Sequence, residues 1–227
     1  MFIGHFAVGF SAKKINPNPS LGTYFLAAQF LDLLWPTLLL LNIESANIVA
    51  DSSNPIPLVF THYPFSHSLL LVFGWSLLLG GIYFLYRKDY GAAIVISFCV
   101  LSHWILDLLV HVPDLPLYPG SSTLLGLGLW EYKFIALALE SILIAAGVIM
   151  YLKATTAINK KGLYGTWALI IFLFTIHIMN SFGPPPPNIK SVAWVGQMQW
   201  LFVLWAYWID HNRVSSISEF VPVNQAK

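Results

Sequence analysis

Ser102-His103-Trp104-Ile105-Leu106-Asp107-Leu108-Leu109-Val110-His111 decides how the rest of the chain is read. It closes a long apolar run that begins near Tyr90. Wound as a helix, the run stacks His103, Asp107 and His111 one turn apart on a single face. Such groups in a hydrocarbon-length helix are costly: an Asp at the centre of a membrane helix costs roughly 2.5–3.5 kcal/mol. Ionisable residues kept at that cost face a polar interior and mark a working site. A metal ion offsets the cost, because it takes nitrogen and oxygen ligands together.

The composition sets the solvent. Of 227 residues, 57% are hydrophobic and 9% charged, where soluble domains run near a quarter charged, so the chain reads as a membrane protein. Nine Trp and ten Tyr suit interfacial aromatic belts. A net charge of +1 argues against a nucleic-acid partner and leaves membrane lipids as the expected surroundings. The single Cys99 excludes an intrachain disulfide. Residues 1–10 are apolar without a basic leader, so no cleavable signal is expected.

Outward from the opening stretch, hydropathy marks six spans: residues 22–41, 58–86, 90–111, 129–152, 162–182 and 191–209. A short apolar segment, residues 2–12, precedes them and is too short to cross a bilayer, which takes about 20 residues. The expected fold is an all-α polytopic membrane bundle of six transmembrane helices plus an N-terminal half-helix. One transmembrane domain occupies residues 1–210, and 211–227 form a polar tail. Residues 42–57 and 112–128 read as polar loops, and the proline run within 183–188 as a stiff cap.

Charge placement orients the bundle. Lys13, Lys14, Arg87, Lys88, Lys153, Lys160, Lys161 and Arg213 fall on one side of the six-span arrangement, while the loops of the other are acidic and carry only Lys190. The positive-inside rule then places both termini in the cytoplasm. Depth brings the polar residues together. Asp32, His67, His103 and Asp107 all lie within roughly 15 Å of the outer surface. His5 meets them if its half-helix rises about 12 Å from Lys13, which eight helical residues provide.

His103 and Asp107 are therefore candidate metal ligands, joined by His67, Asp32 and His5. His67 follows Thr61-His62-Tyr63-Pro64-Phe65-Ser66, where Pro64 sets a turn and the serines are suitable helix caps. A helix start there favours an anion, such as a phosphate or carboxylate of a substrate. Asp32 stands in Phe30-Leu31-Asp32-Leu33-Leu34 with no local cation, which a metal partner would explain. His111, His62 and Glu140 are candidate proton carriers, and Glu131, His177 and Asn180 can support them. The bland alternative for each is a structural polar network between helices.

The pattern resembles the bacterial inner-membrane metal-dependent hydrolase family of the LexA-regulated, YdjM-like group. That family shows an early His, a Pro-Asp-x-Asp segment, a His-Arg-Gly-x-Thr-His-Ser motif and a Ser-His-x-x-x-Asp motif. His5 matches the first, and Asp32 the first Asp of the second, with Leu31 and Leu34 departing from the pattern. His62, Ser66, His67 and Ser68 match the third, with Tyr63 and Pro64 in place of Arg-Gly. Ser102, His103 and Asp107 match the fourth. The resemblance runs to about residue 114 and implies a metal site more firmly than a reaction.

The expected function is an intramembrane hydrolase. His5, Asp32, His67, His103 and Asp107 would gather a divalent metal, Zn²⁺ first and Mn²⁺ or Fe²⁺ as alternatives. Its substrate would be an amphiphilic or lipid-like (phospho)ester. The competing expectation is a proton- or cation-coupled transporter using the same residues. A third is a membrane protein with a metal-stabilised core.

Overall fold

Helix length and apolar character set the frame of the molecule, a computed structural model that describes residues 1–49 and 57–216. Helix α1 (Ile3–Ile15) is apolar on nearly every face until Lys13 and is buried along most of its length, as a helix without a polar face must be. It is a central rod, not a span. Helices α2 (Leu21–Ala28) and α3 (Phe30–Leu40) follow, bent by 56° where they meet at Gln29. Strand β1 (Ser45–Ile48) pairs antiparallel with β2 (Leu58–His62), so parts of residues 42–57 form a ribbon. Helix α4 (Pro64–His67) is a single turn, and α5 (Leu69–Arg87) and α6 (Tyr90–Val110) form an antiparallel pair.

Helix α5 buries only the stripe Val72, Ser76 and Gly80. The stripe faces α6, where Ser76 Oγ donates to the Ser97 carbonyl (2.8 Å) and Ser97 Oγ to the Ser76 carbonyl (3.0 Å). Small residues and crossed hydroxyl bonds hold helices together where lipid removes any hydrophobic drive between them. Asp89 caps α6 by accepting from Ala92 N–H at 2.9 Å. That bond, with a second from Asn18, holds its carboxyl below the usual range.

Beyond α6, β3 (Leu115–Pro116) pairs with β4 (Leu124–Leu125), and a 3-10 turn at Leu129–Glu131 leads into α7 (Lys133–Ala154). Then come β5 (Thr155–Ala157), α8 (Lys160–Phe182), α9 (Ile189–Gln197), α10 (Gln199–Asp210) and β6 (Arg213–Ser215). The antiparallel β5–β6 pair folds the start of the expected tail back onto the bundle. Arg213 clamps it, donating to Thr155 Oγ1 (3.0 Å) and the Thr155 carbonyl (2.8 Å). Residues 217–227 of that tail lie outside the described residues.

Among the described residues four helices, α5 to α8, are long and apolar enough to cross a membrane, and α2 with α3 makes a fifth if counted as one broken span. The sixth expected span, residues 191–209, is two pieces broken at Met198. Two glutamines flank the break and bond to α3: Gln197 Nε2 donates to Thr37 Oγ1 (2.7 Å) and Gln199 Nε2 to the Asp32 carbonyl (3.4 Å). The six-span count therefore becomes four to five by length and composition.

Candidate metal centre

Each side chain of the centre is aimed by something local. Helix α1 begins against α7: Glu140 accepts from the Phe2 N–H (2.9 Å) and the Gly4 N–H (3.2 Å). Those amides have no partner inside the helix, and an acid beside them also suits the helix dipole. This sets His5 in the first turn. Asp32 sits just past the α2–α3 bend, four residues before Pro36, which lacks the N–H that would bond the Asp32 carbonyl. Gln199 fills that gap from α10.

His67 ends α4, whose N-terminal amides are occupied by Glu44. Its Oε1 accepts from Phe65 N–H (2.7 Å) and Ser66 N–H (2.8 Å), and its Oε2 from Ser66 Oγ (2.6 Å). The anion expected at this corner as part of a substrate is thus a carboxylate of the chain itself. His103, Asp107 and His111 share one face of α6, with His111 at its C-cap.

The hydrogen bonds fix which imidazole nitrogens are bare. The Ser66 hydroxyl spends its proton on Glu44, so at 2.7 Å it accepts from His67 Nδ1–H. His103 Nδ1 bonds the Ala28 carbonyl (2.8 Å), an acceptor freed by the end of α2. His111 Nδ1 bonds Asp114 Oδ1 (2.9 Å). In its neutral form each ring therefore turns a bare Nε2 inward, the orientation metal-bound histidines take from their outer partners.

Those nitrogens meet two carboxylates. His103 Nε2 is 3.2 Å from Asp107 Oδ2 and 3.7 Å from Asp32 Oδ1. His67 Nε2 is 3.7 Å from Asp107 Oδ2 and 3.8 Å from Asp32 Oδ1. Four ligands on one zinc, each about 2.0–2.1 Å from it, stand roughly 3.3 Å apart. His103 Nε2 is buried without a hydrogen-bond partner. A lone pair facing a carboxylate in a dry interior is repulsive unless a proton or a metal cation lies between them. The donor set and the orphaned nitrogen fit a divalent ion.

His5 flanks the same centre. Its ring stacks on His103 at 3.5 Å, its Nε2 lies 3.1 Å from Asp107 Oδ1, and its Nδ1 has no partner. The donor atoms of His5, His103 and Asp107, and those of Asp32, His67 and His103, lie within 4.8 Å of one another. The amino group of Met1 ion-pairs with Asp107 Oδ1.

The proton-carrier candidates separate. His111 Nε2 is 3.9 Å from Asp107 Oδ1, and the ring packs on Trp130 at 4.3 Å. Tyr63 also donates to Asp114 (2.7 Å); burial and that carboxylate push its phenol above the ordinary value, so it stays a donor. Glu140 is buried as the α1 cap. His62 is exposed on β2, opposite Ser45, and is not brought to the centre. The centre opens into a cavity of about 900 Å³ whose wall includes Asp32, His67, Asp107, His111, Glu140 and His177.

Sequence reasoning missed Glu44 and Gln199 as supports. Glu44 sat in an apparent loop 23 residues before His67; only the ribbon joins them. For Gln199 the signal was present: a proline four residues after a candidate ligand leaves a carbonyl that some other chain segment must satisfy.

The sequence matches the family described as YdjM inner membrane protein over residues 2–183. No curated protein and no solved structure matches it.

Proposed function

From the premise that the chain belongs to the YdjM inner membrane protein family, we propose that it is an integral membrane metal-dependent hydrolase acting on an amphiphilic, lipid-like (phospho)ester. The observation that carries this reading is the convergence of bare His67 and His103 Nε2 atoms on Asp32 and Asp107. These four would hold the ion, with His5 beside them; imidazole with carboxylate suits Zn²⁺, then Mn²⁺ or Fe²⁺. When bound, such an ion supplies Lewis acidity and lowers the pKa of water from 15.7 to about 7.

The chain's own residues do the rest. Glu44 through Ser66, and the Ala28 carbonyl, keep the His67 and His103 rings from turning. Asp32, with a side chain 23% exposed against 2% for Asp107, faces the cavity and the arriving substrate. His111 Nε2 takes a proton on the cavity side while Asp114 holds the ring through Nδ1, the pairing a general base needs. Glu140 is the second candidate carrier. The mainly apolar cavity wall keeps water out around the reacting bond.

Membrane residence follows from the family and the apolar helices. We carry forward the orientation with basic ends and both termini in the cytoplasm. Lys13, Asp89 and Asp210 share one end through the Lys13–Asp210 and Asn18–Asp89 contacts, away from Glu44 and His111.

The test is metal analysis of purified protein, then turnover of a phosphoester and carboxylester lipid panel. One tightly held divalent ion, lost in His103→Ala, and turnover that stops on chelation are the expected results. Proteoliposome flux of a cation without turnover would replace this reading with transport by the same cluster.

A further inference from the structure

Two polar groups in the cavity wall are left over by the hydrolase chemistry. Lys133, the first residue of α7, lies with Nζ 4.1 Å over the Phe182 ring and forms no ion pair among the described residues. His177 on α8 is 4% exposed, and its Nε2 has no hydrogen-bond partner. Phe182, which carries Lys133, is five residues from His177, about 7.5 Å along α8. Lys133, partly exposed, and His177, buried, both line the cavity.

The remaining wall is the reverse. Phe172 and Ile176 of α8 and Leu201 and Phe202 of α10 give it an apolar face. The outer faces of the same helices expose Ile171, Leu204 and Trp208, the surface of helices that meet lipid. Two of the cavity's acids are already engaged, Glu140 by the α1 amides and Asp107 by the Met1 amino group. Among the described residues, Lys133 is the only Lys or Arg in the wall. A volume of about 900 Å³ is near the top of the roughly 300–1,000 Å³ range of ligand pockets.

We propose that this cavity seats an anionic phospholipid, its acyl chain against α8 and α10 and its phosphate read by Lys133 and His177. The proposal rests on the hydrolase reading for the bond to be cut, but the seat itself needs no ion. Lys133 supplies the counter-charge, Phe182 holds its ammonium in place, and His177 Nε2 supplies the inner hydrogen bond. A neutral diacylglycerol would leave both groups unpaired, which is how the site selects against it.

The full chain in neutral detergent, treated with chelator, is titrated with fluorescent phosphatidate. Phosphatidylcholine and diacylglycerol of the same chains, and inorganic phosphate, serve as competitors. Phosphatidate binds about tenfold more tightly than either competing lipid, as a charge-assisted phosphate contact predicts. Lys133→Gln erases the preference, Lys133→Arg keeps it, and His177→Leu weakens it several-fold. Ile176→Trp, which fills the apolar part, lowers affinity for all three lipids. Equal binding of phosphatidate and phosphatidylcholine, or phosphatidate affinity unchanged in both Lys133→Gln and His177→Leu, overturns the proposal. Displacement by inorganic phosphate at matching concentrations removes the acyl seat and overturns it too. Metal content, measured on untreated protein, judges the other reading separately. Lipid preference without bound metal sinks the hydrolase and leaves the seat; bound metal without lipid preference does the opposite.

Discussion

The two ends of the bundle bury charge in opposite ways. At the basic end, Lys13 Nζ meets Asp210 (3.0 Å) and the Pro19 carbonyl (2.8 Å), and Arg213 is taken up by Thr155 and by the Tyr151 ring at 5.1 Å. Both of these cations have a partner of opposite character. At the other end, His67 and His103 bond outward through Nδ1, away from Asp32 and Asp107, and among the described residues His5 Nδ1 and His103 Nε2 have no hydrogen-bond partner. Burial alone thus does not separate structural from chemical polar groups; satisfaction does. The buried cations of one end are met by protein groups, and the donor set at the other has the form of a cation site.

The sharpest break of this comparison is a matched pair of isosteric changes. Asp107→Asn removes a charge and a donor atom from the donor end. Metal affinity falls by more than the roughly 10–100-fold that loss of a supporting hydrogen bond costs, and bound metal drops to background in elemental analysis. Asp210→Asn removes a charge from the basic end, costs roughly 1–3 kcal/mol of stability, and leaves metal content as it was. If the two variants lose metal alike, the distinction between the ends is wrong.

The next effect sharpens how the donor end is aimed. Ser66→Ala cuts the Glu44–Ser66–His67 chain and frees the His67 ring. Metal affinity falls roughly 10–100-fold by calorimetric titration, while Ser66→Thr, which keeps the hydroxyl, recovers most of it. Unchanged affinity in Ser66→Ala would mean that packing against Tyr63 orients His67 without help.

The long spans were legible because hydrocarbon thickness fixes a local signal: residues 90–111 were expected and α6 runs Tyr90–Val110. His103 and Asp107 were legible for a related reason, since charge within such a run is costly on any fold. What escaped was long-range. The break at Gln29 lies inside a mainly apolar stretch, Gly22 to Leu34, with no proline or glycine at the bend itself. The break at Met198 depends on glutamines that find α3. Glu44 reached the centre only through the β1–β2 ribbon, and a polar loop with no hydrophobic alternation announces no ribbon. Position along a helix can be counted from sequence; which carbonyl an imidazole will find across the bundle cannot.

A smaller effect tests whether α1 belongs to the donor end. A Cβ on Gly147 would fall 2.9 Å from Ala7 Cα and 2.5 Å from its carbonyl oxygen, so α1 lies against α7 with no room for a side chain. Gly147→Ala pushes α1 aside and costs roughly 1–3 kcal/mol by overpacking. Gly81→Ala, with nothing within 4 Å, is neutral or gains about 0.5–1 kcal/mol. If His5 helps hold the ion, Gly147→Ala also weakens metal binding and Gly81→Ala does not. Metal affinity equal in the two would remove His5 from the ligand set.

The smallest effect belongs to the basic end and carries a sign. Asp89 is fully exposed, and its carboxyl is held below the ordinary range by the Ala92 N–H first and Asn18 second. A carboxylate whose folded pKa is depressed contributes stability above its unfolded value, near 3.9, and loses it as pH falls through the folded value. At neutral pH, Asp89→Ala therefore melts below wild type, because the first turn of α6 loses its cap. The gap closes below about pH 4, where the wild-type carboxyl takes up its proton. Added salt narrows it at neutral pH, since the dipole part of an exposed cap is screened. At neutral pH metal occupancy is the same in Asp89→Ala and wild type, because this carboxylate has its partners away from the centre. A gap that widened in acid would reverse the sign and show that the neutral acid, not the anion, holds the turn.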